Sequence, residues 1–162
     1  MASAGSVSQR LAGKAPNSYR SDPSVPPFPD DAALLVFDGV CVLCSATARF
    51  VLKRDHARRF RFATAQSELG QALFRHYELD VQTFETNLVL VEGHAYGKLD
   101  TVVVAGTQLG GVWRALWVLR LLPRSVGDWL YDCVARNRYR LFGRTEHCMM
   151  PPPEWRDRFI DL

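Results

Sequence analysis

Two cysteines three residues apart, Cys41 and Cys44, are the side chains in this sequence whose type and spacing point most directly to chemistry. They follow the apolar run Leu34-Leu35-Val36-Phe37, which ends in Asp38-Gly39. Such a run, a tight turn and then a helical pattern read as a buried strand handing over to the first turn of a helix. The leading backbone N–H groups of a helix lack intrahelical partners, and together with the helix dipole they favour a thiolate over a thiol. The thiolate is the attacking species in disulfide exchange, and a thiol one turn further on can resolve the mixed disulfide. Cys41 is therefore the candidate nucleophile and Cys44 the candidate resolving thiol. Asp38, three residues before Cys41, is the third candidate. It reads either as the N-cap of the first helical turn or as a carboxylate that takes or returns a proton at Cys44. Its charge opposes a thiolate at Cys41 while the helix terminus promotes one.

Two other readings of the pair stand beside this one. Cys-x-x-Cys is also half of a structural zinc site, and two cysteines can share a helix as inert packing. Exchange is preferred because a strand runs straight into the pair. A zinc knuckle usually carries its cysteines in a Gly-rich hairpin and needs a second pair. Here the only other cluster is His147-Cys148, two adjacent side chains that seldom reach one ion together. The enzymatic reading requires the two sulfurs to be close enough to bond and open to a partner.

The phrase Phe37-Asp38-Gly39-Val40-Cys41-Val42-Leu43-Cys44 resembles the signature of the DCC family of thiol-disulfide oxidoreductases, named for its Asp-x-x-Cys-x-x-Cys motif. A second block, Asn137 to Arg144 running on to Cys148 and Pro151, resembles the C-terminal block of that family. The resemblance covers the chain from about Ala32 to its end and implies a thioredoxin-like fold. It gives family and fold more firmly than substrate.

The 162 residues, 48% hydrophobic, suffice for one well-packed domain. A net charge of +3 without a basic run does not indicate nucleic-acid binding. Four cysteines are too few for a disulfide-stapled secreted fold, which favours a reducing, cytoplasmic setting. Residues 1–31, rich in Ser, Pro, Ala and Gly, read as a flexible leader before a domain spanning 32–162. Arg10, Lys14 and Arg20 precede the first acid, Asp22, so the alternative is an organellar transit peptide.

Along the chain, a helix is expected from Cys41 to Arg54 with Leu43, Ala46, Phe50 and Val51 on its inner face. Arg59 to Ala63 reads as a strand beside the first, and Ser67 to Glu78 as a helix begun by Ser67. His56 and His76 read as surface residues. Asn87 to Val91 reads as a strand, turning at Glu92-Gly93 into a hairpin. Thioredoxins usually place a cis-proline before this strand and an aromatic residue before the first cysteine. Here Thr86 and Val40 hold those places, and no proline lies between Asp55 and Leu122. Asp100 to Ala105 is expected to be helical, from Asp100 as a cap and from what the family resemblance implies, the alternative being a strand favoured by its three valines. Val112 to Leu122, with Trp113 and Trp117, is expected to be a core-buried helix on the sheet, the alternatives being a partner groove or a membrane surface. Ser125-x-x-Asp128 should start the next helix, burying Val126, Trp129, Leu130, Cys133 and Val134. The arginines 136, 138, 140 and 144 around Tyr139 read as solvated, with glutathione carboxylates as the other option. Cys148 reads as part of a structural anchor for the tail, or else as a third redox thiol.

These residues predict a three-layer α/β domain of thioredoxin-like type, with about four strands and an extended helical C-terminal part. Its expected reaction is thiol-disulfide exchange by Cys41 and Cys44, assisted by Asp38, with a protein or low-molecular-weight thiol or disulfide as substrate. That reaction requires no metal or organic cofactor. The rivals are a non-catalytic binding module contacting a partner or membrane through the Trp113/Trp117 helix, and a zinc protein using Cys41, Cys44, His147 and Cys148.

Overall fold

The computed structural model describes residues 6–160, so residues 1–5 of the expected leader and the last two of the expected domain lie outside the described residues. Strand β1 (Ala33–Phe37) is apolar and buried at all five positions. Its side chains nevertheless alternate. Leu34 and Val36 join one core with Ala63, Leu88 and Leu90, while Ala33, Leu35 and Phe37 join another with Phe60, Phe62 and Val89. A strand apolar on both sides must be covered on both faces. Helix α1 (Val7–Gly13) and helix α3 (Glu68–His76) supply the first cover through Leu11, Leu69, Leu73 and Phe74. Helices α2 (Val42–Arg54) and α4 (Leu99–Leu109) supply the second through Ala48, Val51, Leu52 and Val104. The result is the expected three-layer, thioredoxin-like α/β fold.

The sheet has the order β2-β1-β3-β4, with β2 (Phe60–Thr64), β3 (Leu88–Val91) and β4 (His94–Gly97). β1 pairs with β2 in parallel, Leu35 opposite Phe62, and α2 is the crossover between them. The other pairs are antiparallel, Leu35 opposite Val89 and Leu90 opposite Ala95. The expected hairpin turns on Glu92 and Gly93, whose φ angles of 50° and 79° give the handedness that matches strand twist.

Six expectations need correction. The leader is packed from Ser6 onward. Ser6 and Gln9 cap α1 reciprocally, and Leu11, Tyr19 and Val25 are buried. Isolated apolar residues in short turns carry no periodicity that a sequence could display. His76 is held by this segment, with Nδ1 2.7 Å from Asp22 and Nε2 2.9 Å from Ser18, so it is not a free surface residue. In α2 the inner face is Cys44, Ser45, Ala48, Val51 and Leu52. Ala46 is exposed, and Phe50 turns sideways to meet Trp113 edge-on at 4.8 Å.

The segment Gly111–Leu121 is a 3₁₀ helix with no buried residue, and it packs chiefly on α4. Trp113, Leu116 and Leu119 are its half-buried positions, which is the three-residue period of that helix. Gly106 permits the contact, since a Cβ there would lie 2.7 Å from both Leu116 Cδ1 and Trp113 O. Helix α5 (Arg124–Phe142) begins after Pro123 with no side-chain cap, so Ser125 does not start it. Its orientation is inverted: Gly127, Asp128, Ala135 and Arg138 are buried, while Trp129 is 63% exposed and Val126, Leu130, Cys133 and Val134 also face outward. Hydrogen bonds explain the inversion. Asp128 accepts from Ser8, Asp132 pairs with Lys98 at 2.8 Å, and the Tyr131 hydroxyl accepts the Asn87 N–H. The C-terminus returns to the sheet, where Arg158 bonds Asp55 and the Phe60 carbonyl and Phe159 stacks on Phe62. No helix among the described residues is long and apolar enough to cross a membrane.

Candidate active site

β1 ends at Phe37 and α2 starts at Val42, so the motif Asp38 to Cys41 forms the short link between sheet and helix. Gly39 lies against β2, where a Cβ would come within 2.9 Å of Thr64 Cγ2. Cys41 is the N-cap of α2, its sulfur accepting the Cys44 N–H at 3.2 Å. One of the unpaired donors of a helix start thus does reach the first cysteine, as the spacing led one to expect. The cap assignment for Asp38 is overturned, because the Cys41 sulfur occupies that place.

Asp38 is instead the centre of a buried network and is 1% exposed. Its Oδ1 accepts the Val40 N–H at 3.1 Å and the Gln66 amide at 2.7 Å. Its Oδ2 accepts Arg138 Nη2 at 3.1 Å and the Tyr139 hydroxyl. Arg138 Nη2 also donates to the carbonyls of Thr83, at 2.7 Å, and Phe84, at 3.1 Å. One guanidinium therefore ties the motif to the loop ahead of β3, the loop in which Thr86 stands where thioredoxins have proline. Thr86 secures the far side by accepting the Lys98 N–H at 2.7 Å. Arg138, Tyr139 and Gln66 were missed as site residues. The available signal was the stripe Asp128, Tyr131, Ala135 and Arg138, spaced at three- and four-residue intervals, which marks a helix face facing polar partners.

The electrostatics divide the two thiols. Cys41 is drawn down to about 6, chiefly by a hydrogen bond from the Cys44 thiol; burial opposes this, and the Cys44 N–H and the Arg138 charge assist. The Asp38 charge opposes it least, so with Arg138 beside the carboxylate the helix start and its partners win. Cys44 is pushed upward by its hydrogen bond to Cys41, by burial and by the charge on Cys41. Tyr139 rises to about 12 through burial and its bond to Asp38.

Openness is where expectation and structure part. Cys41 is fully buried and Cys44 is 8% exposed. Cys41 is paired across a β-bridge with Arg144 in the segment following α5. That segment straps the motif: Thr145 donates to the Val40 carbonyl and Met149 to the Gly39 carbonyl, each at 2.8 Å. Cys148 lies half-buried in the strap and is raised by burial and by the charge of Asp38. All four cysteines are free thiols. Among the described residues no three His, Cys, Asp or Glu side chains come together as a metal-holding group, so Cys41, Cys44, His147 and Cys148 do not form a ligand set. Arg138 is buried while Arg136, Arg140 and Arg144 are exposed, so the basic segment is divided.

Comparison with known proteins bears on this site. The chain is 35% identical to the uncharacterized protein YuxK of Bacillus subtilis over 127 residues, covering 78% of this chain and 93% of that protein. It is 32% identical over 120 residues to a DCC family protein of Arabidopsis thaliana described as chloroplastic, covering 74% of this chain and 70% of that protein. No solved structure matches. The family model described as DCC1-like thiol-disulfide oxidoreductase matches residues 35–144, the span that holds Asp38, Cys41, Cys44 and Arg138, and this chain belongs to that family.

Proposed function

We propose that this protein exchanges disulfides through Cys41 and Cys44. The observation that carries the reading is the bond from the Cys44 N–H to the Cys41 sulfur at the start of α2, with Cys41 held near 6 and Cys44 held protonated. A thiolate attacks and a neighbouring thiol resolves. In the reducing direction, the Cys41 thiolate attacks a substrate disulfide, forming a Cys41–substrate disulfide and releasing one substrate thiolate. The Cys44 thiol then gives up its proton to that leaving thiolate and attacks the Cys41 sulfur. The Cys41–Cys44 disulfide forms and the second substrate thiolate departs, taking a proton from solvent. Two electrons pass from the pair to the substrate; the same steps reversed oxidise a dithiol.

Asp38 acts in this reading by holding Arg138 near the pair, and the strap from Gly143 to Met149 lifts for Cys41 to be reached. Such chemistry fits a reducing compartment, cytoplasmic or, as the description of the Arabidopsis relative suggests, organellar. The complete burial of Cys41 favours a second reading, a binding module with silent thiols.

One experiment separates them. Reduced protein is mixed with bis(2-hydroxyethyl) disulfide and the products are identified by mass spectrometry. Exchange predicts a Cys41–Cys44 disulfide in the wild type, a trapped mixed disulfide on Cys41 in Cys44→Ser, and no adduct at residue 41 or 44 in Cys41→Ser. Unmodified wild-type thiols under native conditions would leave only the binding module.

A further inference from the structure

Cys44 forms part of the wall of a cleft of about 320 Å³ between α2, α4, α5 and the loop ahead of β3. We infer that this cleft seats the side chain next to the reacting sulfur of the substrate, and that it selects disulfides flanked by apolar groups over anionic ones such as glutathione disulfide. The inference rests on the exchange reading above and names the class of substrate for it. Three observations support it.

The first is composition. Leu43, Phe84, Leu99, Val102, Leu130 and Val134 line the cleft beside Cys44. Val102, Leu130 and Val134 are 37%, 44% and 46% exposed, an unusual fraction for aliphatic side chains that meet at one opening. Scattered exposed aliphatics need no explanation, but a set converging on a thiol in a concavity fits a ligand's apolar part.

The second is charge. The charged residues lining the cleft are Glu85 and Arg138. Arg138 is committed to Asp38 and to the Thr83 and Phe84 carbonyls. Glu85 would repel a carboxylate, offset in part by Arg136 at 4.0 Å. Glutathione brings carboxylates that would lose water here beside Glu85, and the one cation lining the cleft is already paired with Asp38. The exposed arginines Arg136, Arg140 and Arg144 are not among the residues lining the cleft.

The third is the orphaned donor. Arg138 Nε is buried without a hydrogen-bond partner among the described residues, although Arg138 lines the cleft and is 3% exposed overall. A buried donor left unpaired is costly, and a small shift of the loop would offer it the carbonyl of a bound peptide. The inverted α5 supplies the rest: turning its polar stripe inward leaves Leu130 and Val134 at the mouth of the cleft.

The test uses the full chain and three short capped peptides, Leu-Cys-Leu, Ser-Cys-Ser and Glu-Cys-Glu, each as a mixed disulfide with 2-mercaptoethanol. Single-turnover rates of their reduction are divided by their rates with free dithiothreitol, which removes intrinsic reactivity. The Leu peptide should be reduced about tenfold or more faster than the Glu peptide, as burial of one leucine side chain in the transition state implies. Glutathione disulfide should be among the slow substrates. Leu130→Glu and, separately, Val134→Glu, both at half-exposed positions, should bring the ratio toward one. Equal normalised rates for the three peptides, or a ratio indifferent to both variants, overturn the cleft assignment while leaving exchange intact. Failure of every peptide to be reduced overturns exchange itself and the cleft with it.

Discussion

Replacing Arg138 by methionine keeps the length of the side chain and removes its charge and donors. The Asp38 and Arg138 side chains are 0% and 4% exposed, so water replaces nothing that is lost. Asp38 would keep its bonds from Val40, Gln66 and Tyr139, but the carbonyls of Thr83, Phe84 and Ala135 would lose their guanidinium donors. Breaking one side of a buried pair typically costs about 3–5 kcal/mol, against about 5–15 kcal/mol for the stability of an ordinary domain. In urea, with a slope of about 2 kcal/mol per molar, this shifts the midpoint down by about 2 M. Asp38→Asn, which leaves the guanidinium buried without its anion, should cost a similar amount. The double variant should recover part of the loss, giving a coupling energy of about 2 kcal/mol. The assay is equilibrium unfolding of the reduced protein at neutral pH followed by circular dichroism, for all four members of the cycle. Losses below about 1 kcal/mol for the single variants, or strictly additive losses in the double, would refute the idea that this pair fastens the motif to the loop ahead of β3.

The reactive thiolate makes further checks possible. Alkylation of Cys41 by iodoacetamide should rise with pH around a midpoint of about 6, and Cys44→Ala should move that midpoint upward because the Cys44 thiol is the main cause of the lowering; an unmoved midpoint would contradict that cause. Cys41 is lower when folded, about 6 against an ordinary 9, so the stability it contributes is complete above about 9 and is lost as the pH falls to about 6. Cys44 is shifted upward, so it opposes folding only above its ordinary value and does not blur this window. The urea midpoint of reduced wild type should therefore rise between pH 6 and 8.5 more than that of Cys41→Ala, and equal slopes would count against the assignment. The inversion of α5 is tested by contrast: Trp129→Gln, at an outward position, should change stability by no more than about 0.5 kcal/mol, whereas Ala135→Leu, at a buried one, should cost about 1–3 kcal/mol by overpacking. The opposite ranking would restore the apolar face as the inner one.

Periodicity and turn chemistry made most of the sheet and its first covers legible. β1, β2, the β3–β4 hairpin and α3 with its Ser67 cap lie where alternation, helical spacing and Glu92-Gly93 placed them, whereas α4 is helical as the family resemblance implied and against the strand preference of its three valines. Each of these elements buries an apolar face, and apolar burial is what a hydropathy pattern records. The same rule misled for α5. Its apolar residues were read as the buried side, yet its inner side is held by Asp128, Tyr131, Ala135 and Arg138 through bonds to groups scattered from Ser8 to Asn87. A pattern of hydrophobicity carries no term for a hydrogen bond whose partner is a hundred residues away.

What the sequence determined by itself is local: a cysteine pair one helical turn apart, an apolar strand before it, and hence a helix-start N–H on the first sulfur. Local spacing is enough for that, because a helix start orients its own backbone whatever surrounds it. Tertiary structure decided the rest. It paired Asp38 with Arg138 across the chain, laid the Gly143–Met149 strap over Cys41, and opened the apolar cleft beside Cys44. Those outcomes depend on which distant groups share one desolvated space, and only the packed chain brings them together.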